Sequence, residues 1–252
     1  MNLTTFFRDE EIDTFAVVST QDLPEHDRED VRQFFPAARS VIIFGKEVPA
    51  EVYRLPAKEK TPGMLRIAEH LDAAAARLTD HLDEENIPAK PVPLYLPVQV
   101  KNGRVQGVVR LKHIAATGKL GSIGKSTILL SPRFGPRLLL SGVVSSLPPE
   151  EYRPGDRAGL NTGSGDLCTG CNRCAQGCPE NAIGPEGVDV FRCRMVRAWI
   201  PPALVPAVKW LIGRSFLQAA AVPFAPLIAR TATIRCSMCV TGCPRLSGFS
   251  QL

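Results

Sequence analysis

Short runs of β-branched and aromatic residues alternate along this chain with stretches whose apolar residues recur every three or four positions. Thr14–Ser19 (TFAVVS) and residues 40–44 (SVIIF) predict two buried strands. Between them, residues 27–36 (DREDVRQFFP) predict a helix that Pro36 ends. Residues 62–86 predict the longest helix, with Pro62 suited to its first turn. Met64, Ile67, Ala68, Leu71, Ala75, Leu78 and Leu82 lie along one stripe of it and face a core. Residues 107–117 predict a further helix and residues 118–125 a glycine-rich turn. Two strands follow, at residues 127–131 (TILLS) and 137–145 (RLLLSGVVS), joined by the turn SPRFGP. Alternating strand and helix signals imply a layered α/β or α+β arrangement. No repeat of solenoid length is present.

Residues 147–166 are dominated by proline, glycine and charge and have little to bury, so they predict a linker. This divides the chain into residues 1–150 and 151–252. Within the second part an apolar, proline-rich insertion spans about residues 197–232. Its stretch 199–228 contains Pro201, Pro202, Pro206, Pro223 and Pro226 and is interrupted by Lys209, Arg214 and Gln218. No run of about 18 uncharged apolar residues survives, so no transmembrane span is expected. Residues 206–221 predict a helix that leaves Trp210, Leu211, Phe216 and Leu217 partly exposed. It either packs on its own domain or lies at a membrane surface or partner as an interfacial helix.

Charge sharpens this division. Of 252 residues, 44% are hydrophobic and 22% charged, which is ordinary for a globular protein and excludes disorder and collagen. The net charge of +5 is unevenly placed: residues 101–252 carry 19 basic and 7 acidic side chains. A basic face suits an acidic partner, whether a small redox protein, RNA, a membrane surface or a phosphate-bearing cofactor. The N-terminus, MNLTTFFRDEEID, has neither a basic n-region nor an apolar h-region, so a cytoplasmic protein with reduced thiols is expected.

All eight cysteines lie between residues 168 and 243. Cys168, Cys171, Cys174 and Cys178 form C-x2-C-x2-C-x3-C before Pro179, the run found in bacterial ferredoxins. Cys236, Cys239 and Cys243 form C-x2-C-x3-C before Pro244, and Cys193 stands between the two motifs. Eight thiolates are what two four-iron clusters need. The first three cysteines wrap one cubane, and in two-cluster ferredoxins the fourth ligates the other cluster. The spacing therefore assigns Cys168, Cys171, Cys174 and Cys243 to one cluster and Cys178, Cys193, Cys236 and Cys239 to the second. Zinc knuckles use two separated C-x2-C pairs rather than four cysteines in eleven residues. Disulfides between such near neighbours are geometrically poor.

The segment LGSIGKSTILLSPRFGPRLLLSGVVSSLP (residues 120–148), followed by the eight-cysteine pattern, resembles epoxyqueuosine reductases and the related reductive dehalogenases. That family has a glycine-rich L-G-x-x-G-[KR] turn, two strands ending in L-P, and then a two-cluster domain. ARSVIIF is similar to its early core strand. The resemblance implies an α+β protein: a nitroreductase-like N-terminal domain of the cobalamin-binding type, then a ferredoxin-like domain with two [4Fe-4S] clusters. It implies a corrinoid site lined by Gly121, Ile123, Gly124, Lys125 and Ser126, where glycine lets backbone approach the corrin. It implies an oxidoreductase passing low-potential electrons through the clusters to the corrinoid or a substrate. Its partners would be an acidic donor such as ferredoxin or flavodoxin, and a corrinoid protein or tRNA. The alternative is a cofactor-free electron carrier or reductive activator of a partner protein.

Two departures bear on that choice. The family's D-T-A-P-V segment, whose Asp is the expected proton donor, aligns with residues 105–109 (VQGVV), which have no carboxylate. The tryptophan usual inside the turn is Ser122 here. Lys112 or His113 is a candidate replacement acid, because an imidazole titrates near neutral pH; an ordinary helix-end histidine is the simpler reading. GKLGSIGKS is not a phosphate loop, since Lys119 occupies the place of the first required glycine.

Overall fold

The computed structural model describes residues 2–94, 97–101, 104–151, 166–214, 217–218, 222–224 and 233–246. The chain opens with α1 (Leu3–Asp9), capped by the Asn2 side chain, which accepts from the Thr5 N–H at 3.0 Å. Then come β1 (Thr14–Ser19), α2 (Glu25–Phe34) and β2 (Ser40–Glu47). Pro49 and Pro56 introduce α3 (Ala50–Arg54) and α4 (Ala57–Glu84). Strands β3 (Ala89–Pro91), β4 (Val98–Lys101) and β5 (Arg104–Gly107) precede α5 (Leu111–Thr117). The glycine-rich segment forms a small hairpin, β6 (Ser122–Ile123) with β7 (Leu129–Leu130), and β8 (Leu138–Ser145) completes the main sheet.

That sheet is antiparallel throughout, in the order β1-β2-β8-β3. Its period-two alternation feeds two cores. Phe15, Ile42, Phe44 and Val143 point to one face, where Leu3 and Phe7 of α1 and Leu71, Ala75, Leu78 and Leu82 of α4 cover them. Ala16, Val18, Val41, Ile43 and Val144 point to the other, covered by Val31 of α2, Ile114 and Ala115 of α5, and Leu129 of β7. Because both faces are buried, β2 reads as a continuous apolar run rather than an alternating one.

The structure moves several predicted boundaries. The long helix starts at Ala57, so Pro62 lies inside it rather than in its first turn. Lys60 and Thr61 explain the extension. Lys60 Nζ donates to Ser237 Oγ at 2.8 Å, and Thr61 Oγ1 accepts from the Ile234 N–H at 2.8 Å. The predicted helix 107–117 begins only at Leu111, because residues 104–107 pair with β4. The predicted strand 127–131 shrinks to two residues, and β8 stands as read. Helix α1 and strands β3 to β5 had no clear sequence signal.

Of the predicted linker, residues 152–165 lie outside the described residues. Beyond it the chain carries α6 (Arg173–Gln176), the hairpin β9 (Ile183–Gly184) with β10 (Gly187–Val188), α7 (Arg194–Arg197), α8 (Val205–Ile212) and α9 (Met238–Thr241). The helix predicted over 206–221 is α8, which ends at Ile212; Phe216 lies outside the described residues. Among the described residues no helix is long and apolar enough to cross a membrane. The second part folds back onto the first. Val240 packs with Val48 and Tyr53, and Arg137 Nε donates to the Leu246 carbonyl at 2.6 Å.

Candidate metal centre

The two cysteine motifs build the same small structure twice. In the first, Gly170 (φ +67°) and Asn172 (φ +60°) adopt left-handed backbone between successive cysteines, turning the chain sharply at each step. The turn of α6 follows, with the Gly177 N–H on the Arg173 carbonyl and the Cys178 N–H on the Ala175 carbonyl. In the second, the Gly242 N–H meets the Met238 carbonyl and the Cys243 N–H the Val240 carbonyl. Cys171, Cys174 and Cys178 thus correspond to Cys236, Cys239 and Cys243. The helical turns α6 and α9 pack together at their glycines. A Cβ on Gly242 would stand 2.9 Å from its own Met238 carbonyl and 4.0 Å from that of Arg173.

All eight cysteines are free thiols. Cys243 feels the charge of Cys171, Cys174 and Cys168, and burial pushes its thiol up. Cys239 feels Cys236, Cys193 and Cys178, and burial pushes its thiol up to about 11. Cys171 is opposite in character: the Arg173 backbone N–H foremost holds its thiol below the ordinary value. Cys178 Sγ accepts the Ala182 N–H at 3.3 Å. Among the described residues no three His, Cys, Asp or Glu side chains close on a single metal ion. An ion with metal–sulfur bonds of about 2.3 Å would need a much tighter convergence than a cubane does.

A small open pocket lies between the thiols and the β6–β7 hairpin. Cys168, Cys171, Cys174 and Cys243 line one side, with Cys239, and Gly124, Lys125 and Ser126 line the other. Of the five residues the resemblance assigns to a corrinoid, these three thus face the first thiol set. Lys125 Nζ donates to Asn172 Oδ1, between Cys171 and Cys174. Ile123 pairs with Leu129 in the hairpin. Gly121 answers to the hairpin itself, because a Cβ there would lie 2.0 Å from the Leu130 carbonyl oxygen. Ser122, where the family has tryptophan, accepts the Leu167 N–H at 2.9 Å and pins the strand entering the first motif.

The second thiol set is approached from α3, α4 and α5. Buried Lys60 reaches Ser237, beside Cys236, and Ser237 Oγ in turn donates to the Tyr53 carbonyl at 2.8 Å. Lys112 is exposed as a residue, yet its ammonium is crowded: it donates to the Thr127 carbonyl at 2.9 Å, burial lowers its pKa, and the charge of Cys239 opposes that. His113 faces another way. Burial first, then Arg110, holds its imidazole below the ordinary value, and Arg110 Nε donates to the buried Asp27 at 2.6 Å. The two candidate acids are thus on different sides of α5, and only Lys112 is near a thiol set. Residues 105–109 contribute β5 and the buried Val109. Sequence reading missed Tyr53, Lys60 and Ser237, since their partners lie up to 184 residues away.

These features define an iron–sulfur protein with an α+β scaffold. Residues 164–184 match the 4Fe-4S binding domain family, over the first cysteine run. The chain is 27% identical over 172 residues to the epoxyqueuosine reductase of Gloeobacter violaceus, covering 66% of this chain and 48% of that one. It is 29% identical over 90 residues to the tetrachloroethene reductive dehalogenase of Sulfurospirillum multivorans, covering 36% and 17% respectively. This chain thus spans less than half the length of these relatives. Among solved structures, epoxyqueuosine reductase from Streptococcus thermophilus aligns with a TM-score of 0.59 at 14% identity, covering 98% of this chain and 65% of that one. An epoxyqueuosine reductase with a tRNA stem loop aligns at 0.54 and 14%, covering 98% and 68%. A reductive dehalogenase whose structure suggests a mechanism for B12-dependent dehalogenation aligns at 0.53 and 14%, covering 98% and 37%. At these identities the alignments establish the fold. The resemblance read from the glycine-rich turn and the cysteine run is to the proteins these comparisons find.

Proposed function

We propose that this chain is an iron–sulfur oxidoreductase that conducts electrons through two [4Fe-4S] clusters to an acceptor held against its N-terminal layers. One cluster is held by Cys168, Cys171, Cys174 and Cys243, the other by Cys178, Cys193, Cys236 and Cys239. The carrying observation is the pocket that Cys243 shares with Cys168, Cys171 and Cys174, some seventy residues away along the chain. The donor set is all thiolate, which suits iron–sulfur clusters.

The acceptor site in this reading is the β6–β7 turn. Gly124, Lys125 and Ser126 separate the first cluster's cavity from the N-terminal layers, so a group laid over them adjoins that cluster. A corrinoid, supported by the shared fold and by the B12-dependent neighbour, supplies a cobalt centre for reduction of a bound substrate. The protein residues do the rest: Ser122 and Lys125 fix the turn to the cluster strap, and Lys112 holds a positive charge beside the second cluster. The nitroreductase-like identity of the N-terminal domain, an acidic ferredoxin or flavodoxin donor, and tRNA as the substrate-bearing partner all belong to this reading.

One observation favours a second reading, a cofactor-free electron carrier or reductive activator of a partner such as a corrinoid protein. The segment aligned with the family's proton donor is β-hairpin and core here, without a carboxylate. Anaerobic purification with iron, sulfide and corrinoid analysis tests both. About eight irons and eight sulfides per chain are expected. A shift of the corrinoid visible spectrum on titration of hydroxocobalamin supports the first reading. Electron delivery to a partner without any such shift supports the second, and colourless, zinc-containing protein overturns both.

A further inference from the structure

The insertion between Cys193 and Cys236 has a surface that a protein interior would normally cover. Seven large apolar side chains stand exposed among the described residues, and five of them, Trp199, Leu204, Trp210, Leu211 and Phe224, lie in this one segment, at 47–60% exposure. The helical periodicity explains how. Around α8, Val205, Val208 and Ile212 form the half-buried side, and α8 packs on β4. Leu204, Ala207, Trp210 and Leu211 fall on the opposite, exposed arc. A helix this apolar on both sides usually belongs in a core or a bilayer, yet among the described residues the arc of Leu204, Ala207, Trp210 and Leu211 stands exposed.

The charge of the segment says what covers it. Residues 194–235 contain no Asp or Glu and six Lys or Arg. Two of these cations are folded over the aromatic rings rather than away from them: the Arg214 guanidinium lies 3.9 Å from the Trp210 ring centre and Lys209 Nζ lies 5.1 Å from that of Phe191. Basic heads beside tryptophan and leucine match the boundary between anionic headgroups and acyl chains. A second copy of the chain would set two uncompensated positive segments face to face across a symmetric interface. A nucleic acid would find phosphate partners and could stack on Trp199, Trp210 and Phe224, but it would leave the aliphatic Leu204, Ala207 and Leu211 between them against water.

We propose that this insertion is a membrane-surface anchor that lies on a bilayer containing anionic phospholipid, with Trp199, Leu204, Trp210, Leu211 and Phe224 at the acyl boundary and the flanking Arg and Lys side chains among the headgroups. The proposal rests on exposed side chains and charge alone and is independent of the cluster assignment. Because Cys193 and Cys236 bracket the segment, it brings the part of the protein that holds those two cysteines to the bilayer.

The test uses cluster-loaded, full-length protein and vesicles of phosphatidylcholine, alone or mixed with an equal part of phosphatidylglycerol. The protein is expected to float with the mixed vesicles at least about tenfold better than with phosphatidylcholine alone. The chain's two tryptophans, Trp199 and Trp210, both lie in the segment. Intrinsic emission therefore reads this surface alone, and should shift to the blue and be quenched by lipids brominated along their chains. Trp210→Glu with Leu211→Glu should cut flotation at least about tenfold with iron content and circular dichroism unchanged, whereas Trp210→Phe should keep it. Absence of flotation, flotation without the blue shift, or undiminished binding by the double variant overturns the proposal. So does a lipid-free dimer that shields both tryptophans, or a shift of their emission by a tRNA stem loop but not by vesicles.

Discussion

Glu10 and Arg77 meet from α1 and α4 in a two-pronged ion pair, with Arg77 Nε donating to Glu10 Oε1 at 2.7 Å. The Arg77 hydrogen bond holds the Glu10 carboxyl below its ordinary value, against burial. A carboxylate whose folded pKa is depressed adds stability above its unfolded pKa and loses it as pH falls through the folded one. Glu10→Gln should therefore lower stability near neutral pH by at most about 1 kcal/mol, since Arg77 is half exposed. The difference from the parent should vanish once the pH falls through the folded Glu10 pKa; thermal melts from neutral pH downward measure it. Gly121 gives a larger effect. With the Leu130 carbonyl oxygen 2.0 Å from an added Cβ, Gly121→Ala must open the β6–β7 hairpin, at a cost of about 2–4 kcal/mol. Urea unfolding would show this, and the first cluster should be lost before the second, because the neighbouring turn lines its cavity.

At the level of elements, the helices and strands differ in how far the sequence discloses them. Strands β1, β2 and β8 were legible because their apolar runs are long and the sheet buries both faces, and the polar helix α2 because Pro36 marks its end. Strands β3 to β5 were not. They are three or four residues long and weakly apolar, and their identity as strands lies in the pairing partner rather than in composition. The start of α4 was hidden for a related reason: Pro62 reads locally as a first-turn residue, while Lys60 and Thr61 are held by Ser237 and Ile234 from across the molecule. The two cysteine motifs were legible, since their spacing is written in the sequence, but the side chains around them were not. Lys60 is the critical case. Its ammonium is buried and tied through Ser237 to the Tyr53 carbonyl. Lys60→Ala leaves that hydroxyl one partner short and should lower stability by about 1–3 kcal/mol. In cluster-loaded protein the visible absorption of the clusters should then bleach at a lower urea concentration than in the parent.

The whole molecule is closed by the second motif returning to the first. Some seventy residues separate Cys243 from Cys174, yet Cys243 shares the cavity of Cys168, Cys171 and Cys174. If each motif lends one thiol to the other's cluster, neither cluster forms from one half alone, and an insertion of any length between Cys193 and Cys236 is tolerated so long as both ends return. Single alanine variants then fall into two classes that cut across the sequence. Cys243→Ala and Cys168→Ala should remove the same cluster and leave the same electron paramagnetic resonance spectrum in the reduced protein. Cys178→Ala and Cys236→Ala should remove the other and leave the complementary spectrum. Each variant should retain about four of the eight irons, as one intact cubane requires. Should Cys243→Ala instead match Cys236→Ala, each motif keeps its own cluster and the crossed assignment fails. In that case a chain cut between Cys193 and Cys236 could still assemble one cluster, whereas crossed ligation requires the cut protein to lose both.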